Sequence, residues 1–370
     1  MSAVRLAMVG CGQISERFFR QAAARDDVTF VATCARRLEN AERKAREHGV
    51  ERWYDDYDRM FDELRPDGVV VTTPHSVHAA PCISALRRGI HVLNEKPMAT
   101  SFADCRAMVD AADASGALLM CLPLDHNPAF LTLLMLMNEA VIGKFTGAEA
   151  SLLIPGPPRD NWYYDRSVAQ GGAMLDCLVY PLSRLISLLG PARWVTARVN
   201  TLLPKRVVAD GKRVNSDVDD NVTLIVEWET GQQAVVRTLW GTSFSRNDTV
   251  VYGRKGTLWL SGGSVVLHSP QQPAPLGVPI EPIEWQGFRD CYRIAPRPET
   301  PNESHIDHFV NCICAGETPR CNGQLQLHVH EILFAAYVAA ETGRTQELTT
   351  SFEPWHTVDR EFFDTRSDYV

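Results

Sequence analysis

Apolar residues recur in two alternating periods along the first third of the chain. Short runs rich in consecutive apolar residues, at Arg5–Val9, Val28–Cys34, Gly68–Thr73, Ile90–Asn94 and Leu118–Leu122, read as strands of a parallel sheet buried on both faces. Between them Ile14, Phe18 and Ala22 fall at helical spacing, and a helical period returns over Leu38–Glu47, Tyr57–Leu64, Val77–Arg88 and from Ser101 to Ser115, where Gly116 stops it. Such alternation predicts six strands in a doubly wound α/β sheet over residues 1–122. After Pro123 the pattern changes. A helix is expected through Asn138, then strands over Phe145–Leu153, Val195–Leu203, Asp219–Glu229, Gln233–Trp240, Asp248–Gly253 and Gly256–Leu260, joined by short polar turns. Residues 123–370 are therefore expected to form an α+β domain on a mostly antiparallel sheet, closed by helices over His305–Ala315 and Leu325–Thr342. The proline-rich stretch 269–303 reads as an irregular excursion.

Size and charge narrow the classes this chain can join. At 370 residues it exceeds the size at which one core stops growing, in keeping with two domains. Lys+Arg of 37 against Asp+Glu of 45 gives a net charge of −8, which speaks against nucleic acid or an anionic membrane as partner. The N-terminus enters its first strand without a signal-peptide core, and no apolar run approaches the ~18 residues of a membrane span, so a cytoplasmic protein is expected. Ten cysteines are scattered without a CxxC pair and read as reduced thiols. The pairs His305/His308 and His328/His330 read as core or surface histidines, and no metal site is expected.

The first strand runs into Gly10-Cys11-Gly12-Gln13-Ile14-Ser15 and then a helix, the context in which G-x-G-x-x-small cradles a pyrophosphate. The first glycine permits the turn, the second admits the ligand, and Ser15 stands where glycine or alanine is usual. At the end of the second strand, where an acid would hold the ribose of NAD, stand Ala35, Arg36 and Arg37. Loss of the carboxylate and gain of guanidinium groups suit a 2′-phosphate, so NADP is the expected cofactor, with NAD the alternative; both arginines also read as solvated charges. Thr73-Pro74-His75 and His78 follow the fourth strand at the same ligand-facing edge and are candidate cofactor contacts, while either histidine also reads as a cap or a solvated residue.

Glu95, Lys96 and Pro97 end an inner strand at that edge, where a lysine is either a solvated loop charge or a cation aimed at substrate and cofactor. Farther on, the aromatic loop 155–165, with Asn161, Trp162 and Tyr163, reads as a site lid or as a proline-rich surface excursion. Asp176 and Tyr180 lie four apart in an apolar helical segment, either as a bonded core pair or as site residues. Pro181 predicts a kink or a late helix start that presents Tyr180. Together these parts support hydride transfer at a carbon bearing a hydroxyl or carbonyl: Lys96 stabilises the Tyr180 phenolate as general acid–base, and Asp176 orients the substrate.

The order Gly10-x-Gly12, Asn94-Glu95-Lys96-Pro97 and Gly171-Gly172-Ala173-Met174-Leu175-Asp176-x-x-Val179-Tyr180-Pro181 resembles the glucose–fructose oxidoreductase/inositol dehydrogenase/MocA-like family over nearly the whole chain. The resemblance implies a Rossmann N-terminal domain, a C-terminal domain with a large open sheet used for dimer or tetramer contacts, Lys96 as catalytic lysine and Asp176 in the substrate pocket. Tyr180 in place of histidine is similar to the branch with glucose–fructose oxidoreductase and dihydrodiol dehydrogenase. His75, Leu178 and Ser183 depart from the family pattern, which bears on the substrate more than on the reaction. The expectation is an NAD(P)-dependent oxidoreductase acting on a sugar, cyclitol or related polyol, forming a homodimer or homotetramer. An NAD-dependent glycosidase-like enzyme and a non-catalytic cofactor-binding sensor are the rivals.

Overall fold

The computed structural model describes residues 3–123, 127–158, 162–208, 210–270, 278–298, 300–356 and 362–363. Two compact units emerge. The first comprises Met1–Leu124, Asp165–Gln170 and Glu303–His330, and the second Asp125–Tyr164, Gly171–Asn302 and Glu331–Val370.

In the first unit β1 (Val4–Val9), α1 (Ser15–Ala22), β2 (Val28–Cys34), α2 (Leu38–Glu47), β3 (Trp53–Tyr54), α3 (Tyr57–Leu64), β4 (Gly68–Val71), α4 (Ala79–Arg87), β5 (His91–Asn94), α5 (Phe102–Ser115) and β6 (Leu119–Cys121) alternate. All six strands are parallel, in the order β3-β2-β1-β4-β5-β6. That is the order of a Rossmann sheet, with its switch point between β1 and β4. Gly68, Val69, Val70 and Val71 are all buried, as a strand covered on both faces requires. The hydroxyl of Ser101 accepts from the Asp104 amide at 3.1 Å to start α5, and Gly116, at φ 71°, ends it. The strand that the hydrophobic pattern left unlocated is β3, only two residues long.

The second unit contains α6 (Pro128–Asn138) and β7 (Phe145–Ile154). The short α7 (Arg166–Ala169) belongs to the first unit, where it packs against the turn His75–Val77. A π-wound turn over Met174–Leu178 leads into α8 (Val179–Leu189). There follow β8 (Trp194–Asn200), β9 (Lys205–Val207), β10 (Arg213–Asn215), β11 (Asn221–Glu227), β12 (Gln233–Trp240), β13 (Arg246–Gly253), β14 (Thr257–Ser261), β15 (Ser264–His268), β16 (Ile280–Trp285) and β17 (Phe288–Ile294). The chain closes with α9 (His305–Ala315), α10 (Gly323–Thr342) and β18 (Gln346–Glu347). Ten strands form one sheet in the order β16-β17-β15-β14-β13-β7-β12-β11-β8-β18, antiparallel except at β7–β12, while β9 and β10 pair separately. On β11 and β12, Val222, Leu224, Val226, Ala234 and Val236 are buried while Ile225, Val235 and Arg237 are exposed, the alternation of a sheet covered on one face. Helices α6 and α8 pack on strands of this sheet.

Three expectations change. A single boundary at residue 122 gives way to a division in which 165–170 and 303–330 rejoin the first unit. Ile306, Phe309 and Val310 of α9 pack with Leu6, Met8, Phe18 and Leu93 in one core, a contact no local pattern reveals. The stretch 269–303 is not wholly irregular, for it carries β16 and β17; Pro282 is tolerated because β16 is the outermost strand, with no neighbour on its other edge among the described residues. The strand expected to reach Leu203 stops at Asn200, and the chain turns into the β9–β10 hairpin.

Candidate active site

The glycine loop is shaped by close approach. Gly10 has φ 101°, and a Cβ there would lie 2.6 Å from the carbonyl carbon of Thr72, so only glycine fits between β1 and β4. The Thr72 hydroxyl donates to the Gly10 carbonyl at 2.6 Å and fastens the two strand ends. Gly12 meets nothing within 4 Å of an added Cβ, so its bare backbone borders open space that a side chain would fill. Ser15 is fully buried, and its hydroxyl donates to the Gly12 carbonyl at 2.7 Å, drawing the loop onto α1. No side chain among the described residues caps α1, whose N-cap residue is Ile14; the Glu16 and Arg17 amides turn back to the Gln13 and Ile14 carbonyls at 3.4 and 3.2 Å at the helix start. Gln13 and Ile14 are exposed beside it. A dinucleotide pyrophosphate fits this cradle. At the end of β2, Ala35 is half-buried, and Arg36 and Arg37 are exposed with no carboxylate among them.

At the neighbouring strand end the turn after β5 is held from several directions. Glu95 is buried, ion-pairs with Arg17 and accepts from the Lys96 amide at 2.9 Å. Asn94, fully buried, donates from Nδ2 to the Met98 carbonyl at 3.0 Å. The Lys96–Pro97 peptide is cis. Lys96 is half-buried and Pro97 buried. His78 brings a nitrogen to within 2.8 Å of both the Pro97 and Thr73 carbonyls, bridging the ends of β4 and β5. His78 is 1% exposed with a backbone carbonyl at each ring nitrogen, and its protonated nitrogen donates to one of them, so the ring ties these loops together. His75 is buried with its ring centroid 5.9 Å from that of His78, and burial, then the charges of Lys96 and His78, push its pKa well below the ordinary histidine value. Thr73 is half-buried and Pro74 exposed.

In the second unit Asp176 lies in the π-wound turn, 9% exposed, and its Oδ2 accepts from the Cys177 thiol at 3.4 Å. Tyr180, half-buried, is the second residue of α8, with Pro181 behind it. The disturbance expected at Pro181 takes the form of this π-wound turn ahead of the α-helix: a wider turn relaxes the hydrogen-bond ladder where proline has no N–H to give. Asp219 anchors the turn. Its carboxylate accepts from the Gly172 amide at 2.9 Å, the Met174 amide at 2.8 Å and the Tyr337 hydroxyl at 2.6 Å. A Cβ on Gly172 would sit 2.0 Å from the Asp219 carbonyl oxygen, so the second glycine of the pair answers a packing need. Trp162 and Tyr163 stack at 4.1 Å, and Asn161 lies outside the described residues.

Sequence reasoning passed over Thr72, Arg17 and Asp219, quoted Asn94 in a motif without giving it a role, and left His330 as an undistinguished histidine. Single polar residues inside apolar runs, such as Asn94 and Thr72, were the available signal. Among the described residues one group has metal-ligand spacing, Glu16, Glu47 and His48, but Lys44 Nζ lies 3.1 Å from Glu16 and 2.6 Å from Glu47 and already supplies the cation.

Strand order, switch-point glycine loop and uncapped helix start define a dinucleotide-binding protein. Residues 4–122 match the family model described as "Oxidoreductase family, NAD-binding Rossmann fold", and residues 130–259 match "GFO/IDH/MocA C-terminal domain". The chain belongs to the Gfo/Idh/MocA family of oxidoreductases. It is 32% identical over 321 residues to a dTDP-3,4-didehydro-2,6-dideoxy-alpha-D-glucose 3-reductase of Actinomadura kijaniata, covering 86% of this chain and 90% of that one. It is 28% identical over 260 residues to the trans-1,2-dihydrobenzene-1,2-diol dehydrogenase of Sus scrofa, covering 69% and 73%. A levoglucosan dehydrogenase solved with NADH and L-sorbose superposes with a TM-score of 0.79 at 19% identity, over 95% of this chain and all of that one.

Proposed function

We propose that this enzyme transfers a hydride between NADP and a ring carbon of a sugar, cyclitol or related polyol, or the corresponding ketone. The observation that carries the reading is the turn after β5, where an inner strand of the nucleotide-binding sheet ends in Lys96, with its backbone secured on both sides. The relatives support the substrate class, since the reductase and diol dehydrogenase named above act on cyclic substrates in which oxygen is carried by adjacent ring carbons. The nicotinamide, when bound, takes or gives the hydride, which leaves one proton for the protein to handle. In the oxidation direction Tyr180 accepts the proton of the substrate hydroxyl as phenolate, Lys96 stabilises that phenolate by its charge, and Asp176 holds the hydroxyl in register. Trp162 and Tyr163 supply aromatic surface for the apolar face of the ring. Arg36 and Arg37 receive the 2′-phosphate.

Purified enzyme incubated with sugars, cyclitols and aromatic diols, with each coenzyme, should change the nicotinamide absorbance with at least one cyclic substrate. Lys96→Met and Tyr180→Phe should each cost roughly 10²–10⁴-fold in kcat, and the double variant little more than either. Glycoside cleavage with no net coenzyme turnover, or near-normal kcat in Tyr180→Phe, overturns the reading.

A further inference from the structure

The peptide that joins Pro97 to Met98 is gripped along both edges by histidines from elsewhere in the first unit. Its carbonyl oxygen lies 2.8 Å from Nδ1 of His78, at the start of α4, and its amide nitrogen donates to Nε2 of His330, on α10, at 2.8 Å. These two atoms belong to one planar group, so the two bonds together set its position and its tilt. His330 is fully buried, and its Nδ1 faces the Gln326 carbonyl at 2.7 Å. An Nε2 that accepts from an amide carries no proton, so Nδ1 is the donor and the ring is neutral. Burial pushes the His330 pKa down to about 4, which preserves that tautomer through the neutral range. His78 presents the opposite polarity, with carbonyl oxygens at both nitrogens. Glu95, Lys96, His75 and His330 are the titratable groups around it.

We infer that His78 and His330 are positioning residues for Lys96. Resting on the proposed role of Lys96, the inference adds that the turn carrying the lysine is set by a donor and an acceptor of opposite kind, one on each edge of the peptide that follows Pro97. A histidine that only filled core volume would affect melting alone. One that places Lys96 affects turnover, and does so only while the lysine is present.

The test compares His330→Phe, which leaves the Met98 amide without an acceptor, with His330→Gln, whose amide oxygen can replace Nε2. His330→Phe should lower kcat roughly 10- to 100-fold with coenzyme Kd within about twofold of the parent, and His330→Gln should recover most of the loss. In a Lys96→Met background, His330→Phe should cost less than about threefold further. Full kcat in a folded His330→Phe enzyme, or the same loss with and without Lys96, overturns the inference. Undiminished turnover in Lys96→Met would instead remove the reading on which it rests. Should His330→Phe fail to fold, histidine 15N resonances of the unaltered protein decide. A neutral Nδ1–H ring for His330 between pH 5 and 8 supports the clamp, and an Nε2–H tautomer or an imidazolium refutes it.

Discussion

Arg36 and Arg37 follow Ala35 at the point where a ribose-binding carboxylate would stand, and both are exposed. On the proposed NADP reading a guanidinium there pairs with the 2′-phosphate, whereas it gains little from a neutral ribose hydroxyl. Arg36→Asp should therefore weaken NADP binding by roughly tenfold or more while NAD affinity holds or improves, as read by coenzyme titration. Equal losses for both coenzymes would show that the pair is surface charge. His78 teaches the converse at the same scale. From the sequence it reads as a cofactor contact, a cap or a solvated residue after a strand end, and in the structure its ring lies between the Pro97 and Thr73 carbonyls. Neighbourhood along the chain was legible, but the direction of a side chain was not.

Among the elements, the π-wound turn and the glycine pair before it are the feature local pattern shows least well. Gly171-Gly172 invites a reading as flexible loop, yet Gly172 is immovable: an added Cβ would come within 2.0 Å of the Asp219 carbonyl oxygen, a backbone atom that cannot swing aside. Gly172→Ala should cost about 3 kcal/mol or more, or prevent soluble expression. Thermal unfolding measures it, and a melting temperature within a degree of the parent would show that the Asp219 loop can yield. Elements with a strong period, β1, β2 and α2 among them, fell within about a residue of expectation, the precision at which helix and strand ends are defined. Of those missed, β15 is a five-residue strand in a hairpin with β14, and most of the others are short or lie at the sheet edge. Strand β3 has two residues, the β9–β10 hairpin three a side, and β16 hides behind proline because its tolerance for one depends on being at an edge.

For the whole molecule, the alternation of strand and helix made the first unit readable almost to its end, but nothing local marked α9 as part of its core. The ten-stranded sheet has one face covered by α6 and α8, while Ile225 and Val235 remain 38% and 42% exposed on the other. We propose that this second face joins copies of the chain, as exposed aliphatic side chains on paired central strands favour burial. Sedimentation at micromolar concentration should give a dimer or tetramer, and Ile225→Lys with Val235→Lys should shift it toward monomer; a stable parent monomer would dismiss the idea. No helix among the described residues is long and apolar enough to cross a membrane.

Nine of the ten cysteines are buried and none is paired in a disulfide. Burial pushes the thiols of Cys11 and Cys312 up to about 11 and those of Cys82, Cys105 and Cys321 higher still, so they stay protonated and shielded from electrophiles. Cys314, near the end of α9, is the exposed one. A chain with ten thiols thus presents a single chemical handle in its native form: a maleimide dye would attach at Cys314 before the others, and the progress of labelling from one site to ten under denaturant would record the opening of the two units as a count of mass additions.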